Sequence, residues 1–485
     1  MMKKIVYNMK LMCLLLLSLS SSCQKYLNLA PINATYDEVF WVNGSNVEKA
    51  LAGAYGMLRE AFRLDRSYFI TGDLAGDNFL MGADLWNYQS FKDEDGGLRL
   101  SNASYLEGSV HNWTRFYAIV NQCNLIIENI NNIDIAKFSG GETQKKRLEG
   151  EARFLRAYTY FYIARTWGDP VLVKESFADP GNVPSLGRSP EAETLDFCMD
   201  DLQTTLDLLD NSAATTHANL GAVQALMAQI YAWRHDYANA EKFCDEVING
   251  GNYALENIET YKNIWTGNSN ENIFELFMQF DPVSNEATNG FFNLFLTEPY
   301  IKNRQIAAVC YIGEKIINSF PSGDLRFPKI IAPVFGESNY ILIKYDKVDY
   351  YDPNNENTYV VSNNLVLMRL ADILLLRAEA RLANGNVGGA LTDLNAIKTR
   401  AGLPSYGGSG ELLAEEILDE RRRELIGEGT FAYDAIRMQQ LERVFPNSYT
   451  KARIEQKGYY WPLDLNTLLP QAPLLTQNDW WRSNN

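Results

Sequence analysis

The sixteen residues Leu367-Met368-Arg369-Leu370-Ala371-Asp372-Ile373-Leu374-Leu375-Leu376-Arg377-Ala378-Glu379-Ala380-Arg381-Leu382 sit inside the stretch from Asn364 to Arg437 that decides the fold. Leu367, Ala371, Leu374, Leu375, Ala378 and Leu382 keep to one side of a helix with about 3.6 residues per turn, a stripe wide enough to require other protein against it. Arg369, Asp372 and Glu379 interrupt the opposite side, yet Ile373, Leu376 and Ala380 lie among them. The pattern predicts a helix over Leu367 to Leu382 that is covered on both faces and whose charges need partners.

Asn384-Gly385-Asn386 then breaks the helix, and a second periodic run from Gly389 to Arg400 places Ala390, Leu394 and Ile397 at i, i+4 and i+7. A helix, a short Gly/Asn turn and a helix with a small residue early in it make a close-packed antiparallel pair. An earlier segment repeats this design: Gly221 to Trp233, a turn at His235-Asp236, then Ala240, Cys244 and Val247. The two copies resemble tetratricopeptide (TPR) units without the full consensus, the alternative being two ordinary helical hairpins.

Downstream the motifs become more particular. Leu370 to Ala380 is followed by Asn395, Arg400-Ala401-Gly402-Leu403-Pro404, Glu420-Arg421-Arg422-Arg423-Glu424-Leu425, Glu428-Gly429 and Tyr433-Asp434-Ala435-Ile436-Arg437. Trp461-Pro462-Leu463 and Leu474-Leu475-Thr476-Gln477-Asn478 complete the series. That order resembles the SusD-like (RagB/SusD) family of outer-membrane nutrient-binding lipoproteins. One departure is visible: the family has an Arg soon after the Glu-Gly pair, where this chain has Thr430-Phe431-Ala432. The resemblance implies a mostly α-helical, TPR-like frame with an irregular, minor-β insertion and long binding loops. It implies a cell-surface lipoprotein that captures oligosaccharides and passes them to a SusC-type TonB-dependent outer-membrane transporter.

Composition agrees with a soluble globule. Of 485 residues, 46% are hydrophobic and 21% charged, and aromatics are generous, with 27 Tyr and 9 Trp. A net charge of −16 with no basic stripe argues against nucleic acid as a partner. The N-terminus reads as a leader: Lys3, Lys4 and Lys10, the apolar run Leu11 to Leu17, then a Ser-rich stretch up to Cys23. The run is too short to span a bilayer. Cys23 after Ser20-Ser21-Ser22 resembles a lipoprotein box with its usual Leu displaced to Leu19, so residues 1–22 are expected to be removed and Cys23 to carry lipid; a plain secretory peptide is the alternative. Cleavage there takes the net charge from −16 to −19. Cys123, Cys198, Cys244 and Cys310 remain, far apart in sequence and without metal-ligand spacing. They read as small buried thiols, with a disulfide left open.

The mature chain, 23–485, is expected to form a single domain, its helical frame spanning about 45–250 and 363–440 and its irregular insertion about 251–362. Helices are predicted from Asn46 to Phe62, Ser109 to Ile130, Gln144 to Trp167 and Pro190 to Leu209. Short strands are predicted at Ile273 to Phe280 and Tyr340 to Tyr345. Glu151-Ala152-Arg153-Phe154-Leu155-Arg156-Ala157 and the Gly168-Asp169-Pro170 stop are also family-like.

The search for catalytic chemistry is negative: His111, His217 and His235 sit in no recognised nucleophile or metal motif, and no Walker loop, HExxH or G-x-S-x-G is present. No catalytic residue, metal ligand or cofactor is assigned. A glycosidase needs only two carboxylates, so a surface hydrolase or peptidase stands as one alternative and a TPR-type protein-binding adaptor as another. The loop acids, and Asp352, Asn354 and Glu356, could also ligate calcium, although no EF-hand spacing is present. Sugar binding asks for exposed rings with amides and carboxylates beside them. Trp86-Asn87-Tyr88, near Asp73, Asp77 and Asn78, has that mix in a long Gly-punctuated stretch. Trp265 and Tyr300 are the candidates in the second irregular region. The resemblance points to the same two regions, by region and not by residue.

Overall fold

The structure is a computed structural model that describes residues 37–63, 67–74, 78–81, 110–177, 185–267, 269–278, 292, 295–304, 310–334, 339–352 and 354–483. Short helical turns aside, its helices are α1 (Gly44–Arg63), α2 (Thr114–Ile130), α3 (Gly141–Trp167), α4 (Glu191–Thr205), α5 (Leu220–Trp233) and α6 (Tyr237–Asn249). After the irregular middle come α7 (Leu370–Ala383), α8 (Val387–Arg400), α9 (Glu411–Glu424), α10 (Phe431–Arg437) and the short α11 (Lys451–Glu455). Each of α1 to α4 packs on the next, and so does each of α5 to α8 across the insertion, giving a mostly helical, TPR-like frame.

The two repeat hairpins are built alike. Asp236 caps α6 by accepting from Asn239 N, and Asn386 caps α8 by accepting from Gly389 N. Ala240 and Ala390, one turn in, have no exposed surface, so the helices meet there at close range. The charges of α7 find partners on both sides. Arg377 meets Asp393 of α8 at 2.7 Å and Asp245 of α6 at 2.6 Å, while Glu379 takes Arg437 at 2.7 Å.

The helix predicted over Leu367 to Leu382 begins three residues late. Leu365–Arg369 is a fully buried strand paired antiparallel with Asn272–Leu276, and α7 starts only at Leu370. An apolar run covered on both faces carries no period that separates strand from helix, and here the pairing with a distant strand decides. Three further ribbons lie among the described residues: Phe79–Met81 with Cys310–Ile312, Ile331–Pro333 with Tyr340–Leu342, and Val348–Tyr350 with Tyr359–Val361.

Arg369, at the junction of strand and α7, is the hub of a buried ion network. Its guanidinium lies 2.6 Å from both Glu271 and Glu424 and 2.9 Å from Glu428. Arg400 and Arg326 reach Glu424 from other directions, at 2.5 and 2.8 Å, and Lys344 reaches Glu428 at 2.7 Å. Burial pushes the Glu424 carboxyl up, and Arg400, Arg369 and Arg326 together reverse this and hold it well below the ordinary carboxylate range. Glu428-Gly429 is thereby fixed in place. Gly429 (φ +71°) then meets Gly72 so closely that a Cβ on Gly72 would lie 2.0 Å from the Gly429 carbonyl oxygen. Cys123, Cys198, Cys244 and Cys310 are buried, and none is in a disulfide among the described residues. No helix among the described residues is long and apolar enough to cross a membrane.

Candidate functional site

Ile70–Leu74 forms one turn of π-helix just before the Phe79–Met81 strand, and the Gly72–Gly429 contact pins it to the helical frame. Asp73 and Asn78 stand at this anchor. The Asp73 carboxylate accepts from Gly429 N at 2.5 Å and from Asn78 Nδ2 at 3.0 Å, and Asn78 Oδ1 accepts from Arg422 Nε at 2.7 Å. Both residues are fully buried, so the expectation that they touch a sugar is corrected: they brace the base of the loop. Burial pushes the Asp73 carboxyl up to about 6, against the hydrogen bonds that favour its charged form.

The Arg421-Arg422-Arg423 run divides its work at the same place. Arg421 pairs with Asp372 at 2.5 Å and Asp434 at 2.8 Å, and Arg423 with Glu416 and Glu420. Arg422 turns instead to Asn78, with its guanidinium 4.4 Å from the Phe431 ring centroid.

The Phe79–Met81 strand pairs with Cys310–Ile312 in the register Phe79↔Ile312, Leu80↔Tyr311, Met81↔Cys310. Met81 is the last described residue before 110, and Cys310 the first after 304. Position 82 and position 309 therefore continue from one end of one ribbon. Trp86, Asn87, Tyr88 and Asp77 lie outside the described residues, as do the leader and Cys23.

Trp265 is also corrected as a sugar platform. It sits without exposed surface in the turn Ile258–Thr266, with Lys344 Nζ 4.5 Å and Arg369 5.9 Å from its ring centroid. It is a lid on the ion network: cations on its faces and core rings at its edges leave no side for a ligand. Tyr300 is half-buried in the segment 295–304, with its amide donating to Thr297 O.

Near Tyr300 the structure assembles tyrosines that the sequence reading did not select. Lys302 N donates to Tyr350 Oη at 2.9 Å and Arg304 Nη1 to Tyr359 Oη at 2.8 Å. Tyr350 and Tyr359 face each other directly across their ribbon, and Tyr351 beside them is 57% exposed. The signal was present as Tyr350-Tyr351 and Tyr359 in an irregular region, but only strand pairing joins them to Tyr300. Of the proposed calcium ligands, the Asp352 carboxylate accepts from Asn354 N and Glu356 from Asn303 Nδ2. Among the described residues no group of three or more His, Cys, Asp or Glu is arranged for a metal ion.

Comparison with known proteins agrees with this architecture. Residues 26–232 match a family profile described as starch-binding and associating with the outer membrane, and residues 333–481 match the SusD family. A SusD-like protein of Formosa agariphila is 27% identical over 97% of this chain and 98% of its own. A SusD-like protein of Bacteroides ovatus is 23% identical, covering 85% of this chain and 78% of its own. A solved SusD homologue from Bacteroides thetaiotaomicron superposes with a TM-score of 0.77 at 25% identity, over 90% of this chain and 98% of that one. With both ends of the sequence matched and the whole fold shared, this chain belongs to the SusD-like family.

Proposed function

We propose that this chain is a surface lipoprotein, lipid-anchored at Cys23 to the outer membrane, that captures oligosaccharides and hands them to a SusC-type TonB-dependent transporter. It works by binding, without chemistry. The observation that carries the reading is the Met81↔Cys310 register. It gives the stretch holding Trp86-Asn87-Tyr88 and the stretch after Tyr300 a common base, braced by Asp73, Asn78 and Arg422. Five covalent steps separate Trp86 from Met81, a reach of at most about 18 Å. In this reading one ligand meets the rings of Trp86 and Tyr88 and those of Tyr300, Tyr350, Tyr351 and Tyr359. A neutral sugar offers no charge to grip, so stacking area and hydrogen bonds supply its affinity.

Trp86→Ala tests this. Calorimetry with the cognate glycan should show affinity reduced about tenfold, the equivalent of roughly 1.4 kcal/mol, while the melting temperature stays where it was. Strong destabilisation, or full affinity in a stable variant, would remove Trp86 from the site and shift the assignment to Tyr300 and the tyrosines beside it.

A further inference from the structure

A cleft of about 760 Å3 opens between the C-terminal ends of α5, α10 and α11 and the first turn of α4. Asp73, Asn78, Trp265 and Tyr300 are not among its lining residues. Its construction departs from an ordinary rule of helix capping. A helix that ends in a Schellman turn puts the residue two beyond its last turn at positive φ, where glycine sits without steric cost. α6, α7 and α8 obey, with Gly251 (φ +69°), Gly385 (φ +81°) and Gly402 (φ +74°). α5, α10 and α11 do not: the same place holds His235 (φ +58°), Gln439 (φ +56°) and Lys457 (φ +52°).

The turn itself is the same. His235 N donates to Ala232 O and Asp236 N to Tyr231 O, Gln439 N to Ile436 O and Gln440 N to Ala435 O, Lys457 N to Ile454 O and Gly458 N to Arg453 O. The two repeat hairpins make the contrast direct, because His235-Asp236 and Gly385-Asn386 occupy equivalent turns. A non-glycine residue in the left-handed region brings its Cβ too close to the following carbonyl oxygen and is strained. Of the four non-glycine residues at positive φ among the described residues, these three line this one cleft, and the fourth, Asn303, lies outside it. Backbone strain concentrated around a cavity is a mark of a functional site.

The chemistry of the walls selects the ligand. Three charges in the cleft are already engaged: Glu191 accepts from Trp233 Nε1 at 2.5 Å and Tyr460 Oη at 2.7 Å, Arg234 pairs with Asp196, and Arg437 with Glu379 and Asp434. An ionic ligand at Glu191, Arg234 or Arg437 would have to displace one of these partners. Three helix C-termini against the single N-terminus of α4 also disfavour an anion. What remains is the half-buried rings of Trp233 and Tyr459, together with an amide and an ammonium on the left-handed positions and the His235 imidazole, whose Nε2 lies 2.8 Å from Arg437 O. Ring faces suit the C–H surface of a sugar, and these polar groups suit its hydroxyls. A second cavity of about 350 Å3 shares Asp169, Lys457 and Tyr460 and continues past Gln477 and Asn478, extending the groove beyond a single sugar unit.

We infer that this cleft is a second saccharide site, for a neutral oligosaccharide, separate from the loop site; the inference rests on the glycan-binding reading above. The test is a triple variant, His235→Gly, Gln439→Gly and Lys457→Gly, in the full mature chain. Glycine fits these φ values, so the melting temperature should hold or rise. Calorimetry against neutral malto-, xylo-, manno- and arabino-oligosaccharides should show two classes of site in the wild type. Trp86→Ala should weaken one, and the glycine variant should weaken the other at least tenfold. Glycan binding that Trp86→Ala removes entirely, with the glycine variant indistinguishable from wild type, overturns the cleft and leaves the loop site standing. A wild type that binds no saccharide in the panel overturns both. A cleft that takes peptides from a random library and no sugar overturns the ligand class. Should the triple variant melt early, the three single variants and Tyr459→Ala decide by the same readings.

Discussion

Trp265 carries two cations against its ring and exposes nothing, which makes its removal a test of packing and not of binding. Trp265→Ala should cost roughly 3–5 kcal/mol in urea unfolding. Glycan affinity measured on the surviving folded fraction should be unchanged. Asp73 makes a second residue-scale case. Its folded pKa of about 6 lies above the ordinary value of about 3.9. Between those two values the folded chain binds the proton more tightly than the unfolded chain does. Protonation therefore favours folding at low pH, and that contribution is lost as pH rises from about 4 through about 6. In Asp73→Asn this dependence should vanish. The unfolding midpoint of the variant relative to wild type should climb across that window and level off above it, which melts in a pH series would record.

At the scale of elements, Ala240 and Ala390 are the points where paired helices close on each other. Ala240→Leu and Ala390→Leu should each cost roughly 1–3 kcal/mol through overpacking. Thermal melts unchanged in both variants would contradict the tight hairpins. These elements were legible because helix periodicity and Asn/Gly/Asp punctuation are local. The strand Leu365–Arg369 was not, since its partner Asn272–Leu276 lies far back in the chain and a fully covered apolar run looks the same in either conformation. The same reason hid the site. Nothing near Trp265 in sequence announces Lys344 and Arg369, and nothing near Tyr300 announces Tyr350 and Tyr359. Asp73 and Asn78 looked like loop polar groups because Gly429 and Arg422, their partners, stand more than three hundred residues away.

At the scale of the molecule, the network centred on Arg369 joins the insertion to the helical frame, since Glu271 and Lys344 belong to one and Glu424, Glu428 and Arg400 to the other. Removing one partner of such a network leaves buried charge uncompensated. Arg369→Met should therefore cost roughly 3–5 kcal/mol at neutral pH. The loss should be smaller in mild acid, where Glu424 and Glu428 can take up protons. Urea midpoints at the two pH values check this, and an equal loss at both would rule out the electrostatic account.

The four buried thiols offer a way to watch such changes from within. Burial, with Asp201 nearby, pushes Cys123 up to about 12, and Cys198 and Cys244 are likewise raised, so none of these three is a thiolate in the folded chain. Cys123 lies in α2, Cys198 in α4, Cys244 in α6, and Cys310 on the strand paired with Phe79–Met81. Each is silent toward an alkylating reagent until its own neighbourhood opens. The order and rates in which the four become modified would then chart the local opening energies of the protein, with Cys310 reporting how independently the loop base breathes from the helical frame.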